Sequence, residues 1–135
     1  MKPVEKLVPK NIFDFSGIEE LKILSDEEIE PVIPELLAWM KDMNWPIAKE
    51  MPSLLAKHTK LVVPHIIEIL QPEQMECDWK SSIIYNLLPL LDVENLLMIR
   101  PTLVRITANP TWGEKSDKTN IATEEILKEN GWEYN

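Results

Sequence analysis

The stretch "SDEEIEPVIPELLAWM", residues 25–40, decides the fold. Its apolar residues Ile29, Val32, Ile33, Leu36, Leu37 and Met40 recur at i, i+3, i+4 and i+7, the spacing of a helix that buries one stripe. Ahead of them, Ser25 and Glu28 form a capping-box pair, in which each side chain is placed to satisfy the other residue's backbone N–H. The central "VIPELL" (32–37) returns as "VVPHII" (62–67) and "IRPTLV" (99–104). Each copy leads to a polar residue and a tryptophan: Asn44-Trp45, Asp78-Trp79 and Thr111-Trp112.

From proline to tryptophan the three spacings are 11, 15 and 11 residues, and the tryptophans lie 34 and 33 residues apart. A period of that length with two helices per unit is the signature of an α-solenoid. In such a unit a proline-containing first helix is followed by a turn and a second helix. Asn44, Asp78 and Thr111 are N-cap residue types, so each polar-Trp pair predicts a helix entrance, with the tryptophan wedged between neighbouring hairpins. Pro46 suits the first turn, where no N–H is missed. The middle copy carries about four extra residues in "QPEQMEC" (71–77), which predicts a longer turn. The third copy is weaker, because "GEKSDKTN" after Trp112 reads as a loop.

Helical stripes continue along the chain. They are predicted after Asn44 (Ile47, Ala48, Met51, Leu54, Leu55), over Val62 to Leu70, and after Asp78 (Ile83, Ile84, Leu87, Leu88, Leu91). Further helices are predicted from about Val93 to Ala108 and through Ile121 to Leu127, with Gly131 ending the last, and a short one near Ile18 to Leu24. Only three glycines occur, and no hairpin turn separates alternating segments. The expectation is an all-α chain.

Residue types narrow the function as well. Acids outnumber bases 23 to 14, for a net charge of −9, and the only arginines are Arg100 and Arg105. Nucleic-acid binding draws its affinity from cations that neutralise phosphates, so that class is not expected. The same charge favours encounter with a basic protein. No apolar run approaches the ~18 residues of a membrane span, and "MKPVEKLVPK" lacks a signal-peptide pattern. One cysteine permits no intrachain disulfide, and a cytoplasmic protein is expected.

At "KDMNWPIA" (41–48) the sequence resembles a bacterial family of uncharacterised single-domain proteins with a HEAT-like fold. The resemblance rests on Leu36 to Trp39, Asp42 to Ala48, Val63 to Ile66, Asp78 to Lys80 and Arg105 to Glu114. It implies a HEAT/armadillo-like α-α superhelix, here of about three helical hairpins with an N-terminal capping helix. The corresponding boundaries are a cap segment at 1–25, the repeat domain at 26–130 and a tail at 131–135. The family brings no assigned activity or cofactor.

No catalytic constellation, metal set or cofactor motif is expected. Iron on a HEAT-like fold uses several His-Glu steps, whereas this chain has only His58 and His65, neither followed by glutamate. His65 and Glu68 share a helix face but supply two ligands where a catalytic zinc takes three. Cys77 sits between Glu76 and Asp78, whose charges disfavour a thiolate. The candidate binding residues are Asn44, Trp45, Asp78, Trp79, Lys80, Arg105 and Glu114. Arg105 can reach Asp78 or Glu114 as an ion pair, or face a ligand; no capping or packing argument requires a lysine at Lys80. The leading expectation is a non-catalytic protein-interaction module with a basic partner, one version being an immunity or inhibitor protein. The alternative is a small enzyme with a pocket between hairpins near Trp45, Asp78, Trp79 and Arg105.

Overall fold

The chain enters the core early. In the computed structural model, which describes residues 3–132, a 3-10 turn at Val4–Leu7 packs on the short helix α1 (Ile18–Lys22). Leu7, Val8, Ile18 and Leu21 are buried. The capping box then forms as expected: the Ser25 hydroxyl accepts the Glu28 amide at 3.3 Å, and the Glu28 carboxylate accepts the Ser25 amide at 3.0 Å. It opens α2 (Asp26–Ile29), which passes through a 3-10 turn at Glu30–Val32 into α3 (Ile33–Ala38) and a further 3-10 turn at Trp39–Lys41.

One helix is therefore broken into short pieces, and proline is the reason. Pro31 and Pro34 each stand in the first turn of a piece, where a missing N–H costs nothing, so the ladder stops and restarts around them. The stripe survives the breaks: Ile29, Val32, Ile33, Leu36, Leu37 and Met40 are all fully buried. Pro46 likewise begins a 3-10 turn, Pro46–Glu50, that leads into α4 (Met51–Ala56). Two prolines do sit inside helices, Pro64 in α5 (Thr59–Ile69) and Pro101 in α7 (Val93–Ala108). Both are exposed, as are Lys60 and Leu97 one turn back, so the carbonyls they free lie on the wet face.

Two of the three expected caps are corrected. Asn44 does not cap; its own amide donates to Asp42 Oδ1 at 2.9 Å, and Trp45 flanks the next turn without a side-chain bond. Nor does Asp78: α6 (Cys77–Asn86) has Glu76 at its N-cap position, two residues earlier, which puts Asp78 inside the first turn. Only Thr111 caps, and the segment after it, read as a loop, is the helix α8 (Trp112–Ser116). The last helix, α9 (Thr119–Glu129), ends as expected at Gly131, whose φ of 70° lets the Trp132 amide reach Leu127 O at 2.8 Å.

Every regular element among the described residues is helical, and none is long and apolar enough to cross a membrane. α7 packs on α9 and α5, α6 packs on α9 and on the Trp39–Lys41 turn, and α4 packs on α3 and α5. One connected apolar core runs from Leu7 to Leu127. Residues 1–2 of the expected cap segment and 133–135 of the expected tail lie outside the described residues.

Two substitutions test the backbone with opposite signs. A Cβ at Gly17 would lie 2.2 Å from Leu7 O, so Gly17→Ala forces two backbones apart and is expected to cost about 1–3 kcal/mol. Lys118, exposed between α8 and α9, holds a left-handed φ of 62°, so Lys118→Gly is expected to gain up to about 1 kcal/mol. Urea denaturation of both variants at neutral pH reads the two signs.

Candidate functional site

Lys80 falls on the buried stripe of α6, and the structure shows what it does there. The side chains of Lys80 and Glu114 are both 0% exposed, and Nζ of Lys80 donates to Glu114 Oε2 at 2.6 Å. Arg105, on α7 and 26% exposed, reaches the same carboxylate with both terminal nitrogens, at 2.5 Å to Oε1 and 3.0 Å to Oε2. The Thr111 amide supplies the fourth donor, 2.9 Å from Oε1, as part of the capping box that opens α8. Burial alone would push the Glu114 carboxyl up. The hydrogen bonds from Arg105, Lys80 and Thr111 outweigh it and hold the group below the usual carboxylate range. Of the two partners open to Arg105, the structure selects Glu114. Asp78 is exposed, and its Oδ1 accepts the neighbouring Trp79 amide at 3.0 Å.

Both cations have a second acceptor. Arg105 Nη2 donates to Leu70 O at 2.7 Å, and Lys80 Nζ donates to Gln71 O at 2.8 Å. These carbonyls end α5 and begin a turn, Gln71-Pro72-Glu73-Gln74, closed by the Gln74 amide on Gln71 O at 3.1 Å. The turn lies in the longer middle spacing of the sequence, and its far side is a wall of a groove. A cavity of about 530 Å³ is lined by Pro34, Leu37, Glu68, Ile69, Trp79 and the turn residues Gln71, Glu73 and Gln74, with His65 at its edge. It adjoins a second space of about 480 Å³ bordered by Glu27, Glu30 and Pro31, and Pro34 and His65 line both. No lysine or arginine among the described residues lines either part. Scattered along the sequence, these glutamates carry no pattern that marks them as neighbours.

The tryptophans take three different settings. Trp79 is 8% exposed, donates its indole N–H to Leu37 O at 2.9 Å, and carries the Lys41 ammonium 4.7 Å from its ring centre. Lys41 also pairs with Glu76 at 3.3 Å, beside the groove turn. Trp45 is half-buried and meets Trp39 edge-on, with ring centres 5.7 Å apart. Trp112 is 85% exposed, far from the wedge its position suggests. Thus Lys80, Arg105 and Glu114 come together and Trp79 adjoins the groove, while Asn44 and Asp78 stand in solvent.

Burial pushes the Cys77 thiol up; the Lys80 charge pulls against it, and Glu114, Asp117 and Asp78 add to the rise. Among the described residues no group of three or more His, Cys, Asp or Glu side chains is placed to hold a metal ion.

The ion cluster sets an order of stabilities. Glu114→Gln strands two cations at a buried site and is expected to cost about 3–5 kcal/mol, whereas Lys80→Met leaves Glu114 paired with Arg105 and costs less. Because the folded Glu114 carboxyl is depressed, its contribution is complete above the ordinary carboxylate pKa of ~4.3. It is lost as pH falls through the lower folded value. The stability gap between the parent chain and Glu114→Gln should therefore narrow as the pH falls below about 4 in urea titrations. Trp79→Ala is expected to cost about 3–5 kcal/mol, and Trp112→Ser less than about 0.5 kcal/mol, in the same assay.

No curated protein matches the chain. Residues 7–127, most of the sequence, match the family described as Domain of unknown function (DUF5071), and the chain belongs to that family.

Proposed function

We propose that the chain is a non-catalytic protein-interaction module, cytoplasmic, whose helical hairpins stack as a HEAT-like superhelix and whose groove takes a basic segment of a partner protein. The observation that carries this reading is the groove. It joins apolar walls at Pro34, Leu37, Ile69 and Trp79 to the carboxylates of Glu27, Glu30, Glu68 and Glu73, with no lining cation among the described residues. Apolar walls accept the aliphatic stems of lysine and arginine, and the carboxylates accept their heads. The net charge of −9 adds long-range steering toward such a partner. An immunity or inhibitor protein that covers the basic face of a toxin is one concrete form. The alternative, a small enzyme with a pocket near Trp45, Asp78, Trp79 and Arg105, has less support, because the Arg105 guanidinium pairs with Glu114 and Leu70 O.

A fluorescein-labelled oligolysine peptide tests the reading by anisotropy. Binding is expected, falling steeply between about 50 and 300 mM salt as charges are screened. Glu68→Gln/Glu73→Gln should weaken it several-fold more than Glu19→Gln/Glu129→Gln, which removes as much negative charge at exposed sites outside the groove. Equal weakening by the two pairs would show steering without a groove and overturn the proposal.

A further inference from the structure

We infer that Lys80 and Arg105 are positioning residues for the groove: from the side facing Glu114 they hold the turn that forms its wall. This rests on the groove reading above, but the geometry stands apart from it. The Gln71–Gln74 turn shows the groove Gln71, Glu73 and Gln74 and shows the core its opening carbonyls. Leu70 O receives Arg105 and Gln71 O receives Lys80, so two adjacent peptide groups are gripped by two cations. Gln71 O also closes the turn through the Gln74 amide, which makes the Lys80 ammonium and the turn share one oxygen.

The grip is stiff because neither cation is free to move. Glu114 binds both, on two oxygens, and is itself fixed at the start of α8 by the Thr111 amide. At its other end the segment is held again, by Gln74 Oε1 accepting the Glu76 amide at 3.0 Å and by the Glu76–Lys41 pair. Between these ends lies Glu73, one of the carboxylates that a basic ligand would meet. A wall held in place before the ligand arrives lowers the ordering cost of binding.

Electrostatics and positioning predict opposite signs, which makes the inference testable. Lys80→Met deletes a positive charge behind an acidic groove. Charge alone would then tighten binding of a basic peptide; loss of the clamp would weaken it. The experiment compares the parent chain, Lys80→Met, Arg105→Met and the control Ile126→Val, a buried change on α9. Arg105→Met serves if Lys80→Met does not fold, since Arg105 is the more exposed of the two cations. Native-state hydrogen exchange is expected to rise about tenfold or more at the Gln74 amide, which Gln71 O accepts, in both clamp variants, beyond any global change, and not in the control. Oligolysine affinity is expected to fall about threefold or more in the same two variants.

Unchanged exchange at Gln74, or tighter peptide binding by Lys80→Met, would overturn the inference. Should the parent chain bind no peptide while the clamp variants still lose local protection, the clamp stands as the holder of this turn and the groove reading falls.

Discussion

The carboxylate of Glu114 is the point at which three helices and a turn are fixed relative to one another. A carboxylate offers about four lone-pair sites, and here each oxygen accepts two donors: Arg105 and Thr111 on Oε1, Lys80 and Arg105 on Oε2. Those donors belong to α6, α7 and the start of α8. The same glutamate completes the box that caps α8, so one residue serves as cap and as counter-ion. Removing its side chain would leave Lys80 and Arg105 without their counter-ion and take one of the two bonds from the capping box.

Stability alone does not call for such a cluster. Replacing a buried ion cluster with well-packed apolar residues is often neutral or better, because the Coulomb gain barely exceeds the desolvation cost. A methionine would fill the Lys80 site on the α6 stripe. What an apolar residue lacks is a donor for Gln71 O, and Leu70 O needs one as well, since it sits where α5 runs out of amides. A charged donor directs the carbonyl as well as satisfying it. The cluster is therefore better understood through the backbone it orients than through the energy it adds.

Much of the fold was legible because it depends on local rules. The Ser25–Glu28 box, the stripe from Ile29 to Met40, the span of α7 and the glycine stop at Gly131 each follow from spacing within a few residues. The caps at Asn44 and Asp78 failed because a cap depends on backbone geometry at one position, and a shift of two residues, to Glu76, moves Asp78 inside the helix. Lys80 was readable only as an anomaly: its place on an apolar stripe implies burial, but its counter-ion lies 34 residues away. Arg105 had two candidate partners, and only the placement of α8, which brings Glu114 to Lys80 and Arg105, could choose between them. The groove was not legible, because Glu27, Glu30, Glu68 and Glu73 come together through tertiary packing alone.

The tryptophan period shows why regularity was the less informative signal for function. Equal spacing placed Trp45, Trp79 and Trp112 in equivalent sequence positions, yet one meets Trp39, one is buried against Leu37, and one is 85% exposed. Positions equivalent in the sequence see different neighbours when the elements before and after them differ. The break in the period carries more. The extra residues between Pro64 and Trp79 leave room for the Gln71–Gln74 turn, and that turn joins the buried cations to the acidic groove. A middle spacing as short as the other two would bury the same apolar stripe without supplying that wall, so the irregular spacing is where the core and the groove meet.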